Sequence, residues 1–512
     1  MRLIAVLVSV SIAACGSAGG APDAGGAPRV DGGPIVNPPT ACVIPDEGKP
    51  VDTSGSTNVV GDGTPGSCTE GAFKAAIDTG GIITFACGAA PITITLTSPA
   101  IINNIAGADM LGDTTIDGNN LVTLSGGGLS RILYLNACEA PFNNPRCDIF
   151  PHPHLTVQNL TFVDGRDSSA SGGGAIFRHG GALTVIHSQF YNNKGATTGQ
   201  DTAGGAIRLE QATPALIVDS IFGTAGKGNA CSNGGAIGSL QAHPVTIINS
   251  VLDSNTATGV GGNPGNGGNG GGFYQDGTSL DVTMCGVKVT HNTGNAFGGG
   301  LFFVDNAGDG KLTLTNTEIT DNTIPEHAGQ PSHGGAGYVQ GAQLLVTNAT
   351  IANDAAGFAA GLYVNAMNGK GSFNATNLTV TGMAGDGLTV EGGLKGTLLN
   401  TTIAGNTRGL SGGGGLTLDN TIVAGNQTGC EPAAAGGTAS IQFPGASCGV
   451  ALPTMDALLG ALADNGGTTG VRTMAPAAGS PALNLGVVCP SADARGLARP
   501  ADHCTSGAHQ VE

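Results

Sequence analysis

The sequence predicts an all-β protein that winds as a parallel β-helix of about ten or more coils, with a short capping helix at its N-terminal end. The first observation is a sequence motif repeated ten times between Leu155 and Asn426. In each copy, alternating apolar residues precede a small or polar residue, one further apolar residue, called the anchor, and often Asn. The anchors are Phe162, Phe190, Phe222, Leu252, Val289, Ile319, Ile351, Val380, Ile403 and Val423. They are 20 to 37 residues apart, a period typical of solenoids, whose units bury their apolar faces only against neighbouring units.

A second observation is a glycine-led strand in each repeat, such as Gly173-Gly174-Ala175-Ile176 and Gly204-Gly205-Ala206-Ile207. Glycine permits the turn into the strand and a close approach of stacked backbones. The third is a polar row three residues before the anchors, which is Asn in seven of ten copies. This row contains Asn159, His187, Asp219, Asn249, Gly286, Asn316, Asn348, Asn377, Asn400 and Asn420. Asn is common at bends, and stacked amides can bond to one another, so this row is interpreted as structural.

Composition narrows the class of protein. The chain has 512 residues, 90 glycines, no Trp and only 11% charged residues. The glycines show no three-residue period and no heptads occur, which excludes collagen and coiled coils. A hydrophobic content of 40% is too high for general disorder. The net charge of -17 disfavours nucleic acid and anionic lipid surfaces as partners. No cofactor is predicted, although bound Ca²⁺ is compatible with this charge.

The N-terminus predicts export. Arg2 precedes an apolar run, Leu3–Ile12, that is too short to span a membrane. Ile-Ala-Ala-Cys resembles the bacterial lipobox, which would make residues 1–14 a signal peptide and Cys15 the lipidated first residue. Gly16 then favours the outer membrane, reached through the lipid on Cys15. The alternative is a secretory signal with an incidental cysteine. Residues 15–41, rich in Gly, Ala and Pro, predict a flexible tether.

Export implies an oxidising compartment, so disulfides are expected among the remaining eleven cysteines. Proximity in the sequence suggests three pairs, Cys138–Cys147, Cys430–Cys448 and Cys489–Cys504. The odd number leaves at least one cysteine outside an internal pair. No cysteine or histidine spacing is typical of zinc, so no metal ligands are predicted.

The other domains follow along the chain. Residues 42–150 predict a cap and the first coils, with a helix over Thr69–Ile77 that covers the exposed strand edge. Residues 151–430 hold the repeats, and residues 431–512 predict a C-terminal cap.

These features resemble the right-handed parallel β-helix of the pectin-lyase-like superfamily. The Gly-Gly-Ala-Ile copies resemble repeats of bacterial polymorphic outer-membrane proteins. The C-terminal motifs Asn465-Gly-Gly-Thr468, Gly479-Ser-Pro-Ala482 and Asp493-Ala-Arg-Gly496 resemble the closing segment of choice-of-anchor β-helix proteins. Thr505, Ser506 and His509 depart from that segment, and anchoring through Cys15 is expected in place of a C-terminal membrane anchor. The resemblance implies architecture and surface location more than activity.

Many members of this superfamily cleave acidic polysaccharides, which requires paired carboxylates or a Ca²⁺ site with a base. The sequence has no adjacent Asp-Asp, no Gly-His-Gly and no Arg-Ile-Lys, and Arg495-Gly-Leu-Ala-Arg499 lacks the proline of pectate lyases. No catalytic residue is therefore predicted.

Two rows remain as candidate binding residues. Aligning the glycine-led strands predicts a polar row at the strand ends, with Arg178, Glu210, Asp276, Asp305, Gln340, Asn365 and Glu391. A second row contains Tyr274, Phe302, Tyr338 and Tyr363. If these rings face outward, they form a platform for sugar rings. If they face inward, they continue the Ile176, Ile207 and Ile237 row of the core, which the alignment favours. The candidate ligand-binding residues are Glu210, Asp276, Asp305, Tyr274, Tyr338 and Tyr363.

The sequence thus predicts a lipid-anchored cell-surface rod that acts in adhesion or carbohydrate binding without catalysis. Its partner would be a polysaccharide or another cell surface. The alternatives are a polysaccharide lyase or glycoside hydrolase acting on acidic polysaccharide, and a passive structural protein of the envelope.

Overall fold

The computed structural model describes residues 41–102, 112–139, 146–167, 169–262, 265–326 and 332–511. The predicted signal peptide, lipidation site Cys15 and nearly all of the tether lie outside these residues. The described chain contains one α-helix, α1 (Glu70–Thr79), and two 3-10 turns, Asp46–Gly48 and Pro65–Ser67. Among the described residues, no helix is long and apolar enough to cross a bilayer.

The described residues otherwise form strands that pair almost entirely in parallel. The first nineteen strands are β1 (Asn58–Val60), β2 (Gly81–Phe85), β3 (Ile92–Thr95), β4 (Ala100–Ile102), β5 (Thr114–Ser125), β6 (Leu133–Asn136), β7 (His154–Val163), β8 (Ile176–His179), β9 (Ala182–Ile186), β10 (Gln189–Tyr191), β11 (Ile207–Glu210), β12 (Ala215–Val218), β13 (Ile221–Phe222), β14 (Ala230–Cys231), β15 (Ile237–Leu240), β16 (Val245–Ile248), β17 (Val251–Asp253), β18 (Thr256–Ala257) and β19 (Phe273–Gly277). The remaining strands are β20 (Asp281–Cys285), β21 (Lys288–Thr290), β22 (Leu301–Asp305), β23 (Gly310–Thr320), β24 (Gly337–Gln340), β25 (Ala342–Ala352), β26 (Leu362–Asn365), β27 (Ser372–Thr381), β28 (Asp386–Val390), β29 (Gly396–Leu399), β30 (Thr402–Ala404), β31 (Arg408–Ser411), β32 (Leu416–Asp419), β33 (Ile422–Ala424), β34 (Thr428–Glu431), β35 (Ile441–Phe443), β36 (Leu459–Ala463) and β37 (Thr473–Pro476).

These strands form a parallel β-helix, as the sequence predicts, and the helix has three faces. Face 1 is a twelve-stranded sheet that runs from β4 through β19 and β24 to β34. Faces 2 and 3 are two columns of a larger sheet that meet at a bend inside β5, β7, β23, β25 and β27. Face 2 contains the strand segments before the bend, from β1 to β32, and face 3 those after it, from β3 to β35. With neighbouring strands about 4.8 Å apart, face 1 is roughly 50 Å long.

The predicted anchors align without exception along face 3. Strand register pairs each of the ten anchors with the next, from Phe162 to Val423. All of them are buried, and the rings of Phe162, Phe190 and Phe222 stack at centroid distances of 4.8 and 4.6 Å. The solenoid prediction is therefore confirmed at the level of register.

The polar row that precedes the anchors occupies the bend between faces 2 and 3. Each residue of the row has positive φ, between 46° at His187 and 68° at Gly286. Asn tolerates this left-handed conformation better than other residues that have a side chain beyond Cβ. Part of the row also stacks as expected, since the Asn348 amide donates to Asn316 at 3.1 Å and the Asn377 amide donates to Asn348 at 2.9 Å.

A second amide ladder lies inside the rod, three or more residues after the anchors. The side-chain Nδ2 of each member donates to the Oδ1 of the next at 2.8–3.0 Å. Its members are Asn193, Asn229, Asn255, Asn292, Asn322 and Asp354. Each Asn also donates to a backbone carbonyl near an anchor, as Asn322 does to Val289. The repeated Asn was visible in the sequence, but its role as an internal ladder was not predicted.

The capping helix α1 matches the predicted helix closely. Thr69 caps it by accepting a hydrogen bond from the Ala72 amide at 3.2 Å, and Gly80, with φ of 70°, ends it. Phe73, Ala76 and Ile77 are buried on the side that faces β1 and β4. The helix therefore covers part of the first coil.

Two extended segments lie on the outside of the rod. Residues 43–57, called the strap, cross the early coils near the bend. Residues 444–511, called the flank segment, cover the bend and face 3 over the later coils, where Gly507 donates to the Asn420 carbonyl at 2.7 Å and Ala508 to Thr402 Oγ1 at 3.0 Å. The motif residue Asp493 is buried and accepts from the amides of Arg495, Leu497 and Gln510. The C-terminal motif around Asp493 thus stabilises the conformation of the flank segment.

Candidate binding face

An aromatic ladder runs along the outer side of face 1. Strand register places Tyr274, Phe302, Tyr338 and Tyr363 in one row. Their rings stack at centroid distances of 5.0, 5.4 and 5.0 Å. The same row begins at Tyr134 and Phe177, whose centroids are 5.0 Å apart, and is interrupted between them and Tyr274 by Arg208 and Gly238.

The ladder does not continue the isoleucine row of the core, so that alignment was wrong. Ile237 pairs with Phe273, whereas Tyr274 pairs with Gly238. Because side chains alternate across a strand, a shift of one residue moves the tyrosines to the opposite side of the sheet. Tyr274 is nonetheless fully buried, since Tyr274 and Phe302 form an outer apolar cluster with Ala203, separate from the main core.

The tyrosine hydroxyls point to acidic or amide acceptors. Tyr134 donates to Glu139 at 2.7 Å, Tyr274 to Asp276 at 3.2 Å and Tyr338 to Gln340 at 3.1 Å. Tyr363 donates to Glu391, on the following coil, at 2.5 Å. Burial, followed by the charge of Glu391, raises the pKa of Tyr338 to about 12. The hydroxyl therefore stays protonated near neutral pH.

Only part of the predicted polar row is aligned in the structure. Glu210, Asp276, Gln340 and Asn365 share one register position, interrupted by Leu240 and Val304. Asp276 also accepts from the Asn306 amide at 2.9 Å. The Asp276 carboxylate therefore binds both the Tyr274 hydroxyl and a neighbouring turn.

Two residues were misplaced by the predicted alignment. Arg178 pairs with Leu209 and is fully buried, with its guanidinium donating to the Glu210 carbonyl at 2.6 Å. Asp305 pairs with Gly277, one position beyond Asp276, and is also buried. Its carboxylate accepts from the amides of Leu280, Ala307 and Gly308 at 2.8–2.9 Å. Asp305 thus holds a turn, and it lies away from the surface where a ligand would bind.

Loop residues add further rings at the C-terminal end of the ladder, where Tyr363 itself is buried. Phe297 lies 4.9 Å from Tyr338, and His333 lies 5.2 Å from Tyr363 and 4.8 Å from Phe358. Phe358 is 46% exposed, and Glu391, which accepts from the Tyr363 hydroxyl, is also exposed. The aromatic site is defined here as Phe297, His333, Tyr338, Phe358, Tyr363 and Glu391.

The electrostatics of the aromatic site favour a neutral ring cluster next to an acceptor. Burial lowers the pKa of His333, although Glu391 acts in the opposite direction, so the imidazole is neutral at pH 7. Aromatic faces can stack on the apolar faces of sugar rings, and a carboxylate can accept hydrogen bonds from hydroxyl groups. At the opposite end of the ladder, the Arg131 guanidinium lies over the Phe177 ring at 4.9 Å and so occupies that ring face. The same guanidinium forms an ion pair with Asp167 at 3.0 Å.

A second concave feature lies where the strap meets face 2. It has a volume of about 340 Å³ and an apolar lining that includes Pro45, Leu216 and Pro244. Its principal polar groups are Glu47 and His154, and the His154 imidazole contacts Thr184 Oγ1 at 2.8 Å. Burial lowers the pKa of His154. No three His, Cys, Asp or Glu side chains are grouped as a metal site would require anywhere in the described ranges.

Five disulfides link the described residues. They include all three pairs suggested by sequence proximity, Cys138–Cys147, Cys430–Cys448 and Cys489–Cys504. Two more, Cys68–Cys87 and Cys42–Cys285, were not predicted. The second of these joins residues 243 positions apart, so no spacing rule could have found it. Cys231 is a buried thiol, and burial raises its pKa to about 12.

The fold and its bonds define this chain as a disulfide-linked parallel β-helix protein. No family model and no curated protein matches its sequence. Among solved structures, the chain is similar to PfbA, a surface adhesin of Streptococcus pneumoniae, with 14% identity and a TM-score of 0.34. The match covers 82% of this chain and 97% of PfbA. A likeness at this level carries no argument about the function of the present chain.

Proposed function

We propose that this chain is an exported cell-surface protein, a non-catalytic rod that adheres to carbohydrate through the aromatic site. The observation that carries the proposal is the group of rings around the exposed Phe358, with an exposed carboxylate at Glu391. Sugar rings need an apolar surface for stacking and acceptors for their hydroxyls, and this site offers both. The high negative charge favours a neutral glycan over an acidic polymer.

Location outside the cytoplasm is supported by the five disulfides, since such bonds persist in oxidising compartments. The lipobox-like sequence ending at Cys15 supports attachment to the outer membrane through a lipid. Cys15→Ser should move the protein from the membrane fraction to the soluble fraction and abolish labelling by radioactive fatty acid. Cys231→Ser is the matched control and should leave both unchanged. Equal labelling of the two variants would exclude lipidation at Cys15.

Binding is tested with the purified chain on an array of neutral and acidic glycans. We expect Phe358→Ala to weaken binding to the selected glycan by roughly fivefold, because stacking of one ring is worth about 1 kcal/mol. Leu345→Ala is the matched control, since Leu345 is also 46% exposed but lies on face 2. Loss of binding in both variants, or in neither, would contradict the proposed site.

Turnover of a polymer distinguishes the enzymatic alternative. Incubation with pectate and alginate should release no unsaturated sugars, measured by their ultraviolet absorbance. Release that depends on the folded chain would replace the binding proposal with a polysaccharide lyase.

A further inference from the structure

The strap begins halfway along the rod and runs back toward the N-terminal coils. Cys42, which precedes it, is bonded to Cys285 at the end of β20, the eighth of the thirteen strands of face 2. Further along the strap, any side chain at Gly48 would meet Val218 at 2.9 Å. Val51 then exchanges two hydrogen bonds with the Gln158 amide, at 2.8 and 3.0 Å.

The strap reaches the first coils at its C-terminal end. Thr53 donates to Asp117 at 2.7 Å, and Ser56 donates to the Ile82 carbonyl at 2.7 Å. The residue numbers of the contacted partners therefore fall from Cys285 to Ile82 as the chain advances from Cys42 to Ser56. This path crosses six strand spacings, about 30 Å along the axis of the rod. The chain preceding Cys42 is thus joined covalently to the middle of the rod.

This attachment decides which coils carry tension. A terminal coil of a solenoid has one neighbour, so an array pulled from its end unravels coil by coil from that end. Without the disulfide, tension on the N-terminal tether would peel the strap and then the first coils. With it, tension passes from Cys42 to Cys285, and residues 43–284 form a closed loop outside the path of the force.

The aromatic site lies close to this point of entry. Tyr338 and Tyr363 are on β24 and β26, which follow β20 by about two to three coils, or roughly 10–15 Å along the axis. The ion pair between Arg472 and Glu318 secures the flank segment on the intervening coil. A force between the tether and a ligand at this site would therefore cross only a short part of the rod.

We propose that the Cys42–Cys285 disulfide is a mechanical bypass, which transfers tension from the N-terminal tether to the middle of the rod and shields the first six coils from unravelling. The proposal rests on the proposed function only for the origin of that tension, at a membrane tether and a surface ligand. The mechanical property itself belongs to the fold and can be measured without any ligand or lipid.

The test stretches single molecules of the oxidised chain, with Cys15 replaced by Ser, between handles placed before Cys42 and at the C-terminus. The fully extended length of this chain should be shorter than that of the Cys42→Ser, Cys285→Ser double variant. After allowance for the two smaller disulfides inside the loop, the difference is about 200 residues, or roughly 700 Å. The double variant should also show additional unfolding steps at low force.

The matched control is the Cys138→Ser, Cys147→Ser double variant, which removes a disulfide with a separation of only nine residues. It should keep the short extension of the parent chain. If the Cys42→Ser, Cys285→Ser variant does not fold, the oxidised parent still decides the matter, because its extension must fall short of the full contour by that length. Full extension of the oxidised parent would overturn the proposal, whatever the outcome of the glycan or lipidation experiments.

Discussion

Arg472 and Glu318, which are 154 positions apart in the sequence, join the flank segment to the middle of the rod. The Glu318 carboxylate is buried and accepts from the Arg472 amide at 2.9 Å and from its guanidinium Nε at 3.1 Å. Two residues earlier, the Asn316 amide contacts the Cys42 sulfur at 3.7 Å. Cys42, directly before the strap, and the flank segment therefore contact the same coil, although they come from opposite ends of the described chain.

We expect the flank segment to loosen locally when Glu318, the acceptor of the Arg472 hydrogen bonds, is removed. Glu318→Ala should lower the free energy of opening of the flank segment near residues 470–476 by about 1–3 kcal/mol, because it leaves two donors without their buried partner. Hydrogen exchange of that segment is the measurement. Lys288→Ala is the control, since Lys288 lies 3.7 Å from the same carboxylate on the more exposed side and should cost less than about 1 kcal/mol. Equal protection in both variants would contradict the role of Arg472.

His509 predicts acid sensitivity of the same segment. Burial, followed by the charge of Arg495, lowers the pKa of His509 to about 4. The unfolded state then binds the proton more tightly than the folded state. The contribution of His509 to the unfolding free energy is therefore fully present above about pH 6.5 and is lost as the pH falls toward 4. His509→Gln should reduce the loss of unfolding free energy between pH 7 and 4.5 by roughly 1–3 kcal/mol. Parallel pH profiles of the parent and the variant, measured by denaturant titration, would refute this assignment.

Asp354 predicts a stabilising substitution at the end of the internal ladder. Its carboxyl is buried, and desolvation raises its pKa, so ionisation opposes folding at neutral pH. Asp354→Asn should stabilise the chain at pH 7 by about 1–2 kcal/mol, because an amide can accept from Asn322 and also donate as the other ladder amides do.

The gain from Asp354→Asn should shrink below pH 4, where the parent carboxyl is neutral in both the folded and unfolded states. Thermal unfolding at pH 3 and pH 7 measures both effects. Asn255→Ala is the opposing control, and it should destabilise at both values by removing bonds to Asn292 and the Phe222 carbonyl. A destabilised Asp354→Asn chain at pH 7 would show that the ladder needs the carboxyl.

Glu391 predicts how the aromatic site recognises its glycan. If the carboxylate acts as a hydrogen-bond acceptor, Glu391→Gln should weaken binding of a neutral glycan less than threefold, whereas Glu391→Ala should weaken it by roughly tenfold. Binding should also change little between low and high salt, since no ion pair forms with the ligand. Titration calorimetry measures both. A tenfold loss in Glu391→Gln would instead indicate that charge is required.

The sequence by itself determined the solenoid, since the spacing of the anchors from Phe162 to Val423 is local information repeated along the chain. The bend at Asn316 and its equivalents, the helix capped by Thr69, and the three disulfides between near neighbours were also predictable from adjacent residues. Each depends on short-range geometry, on the period of apolar residues or on the backbone preferences of Asn and Thr.

Tertiary structure alone decided the register between coils and the paths of the two outer segments. A register change of one residue exchanges the inner and outer sides of a strand, which moved Tyr274 off the core row and buried Asp305. The pairing of Cys42 with Cys285 and of Arg472 with Glu318 brings together residues whose separation in the sequence carries no signal. Such contacts arise only when the outer segments lie along the folded rod and bring distant residues to the same height on it.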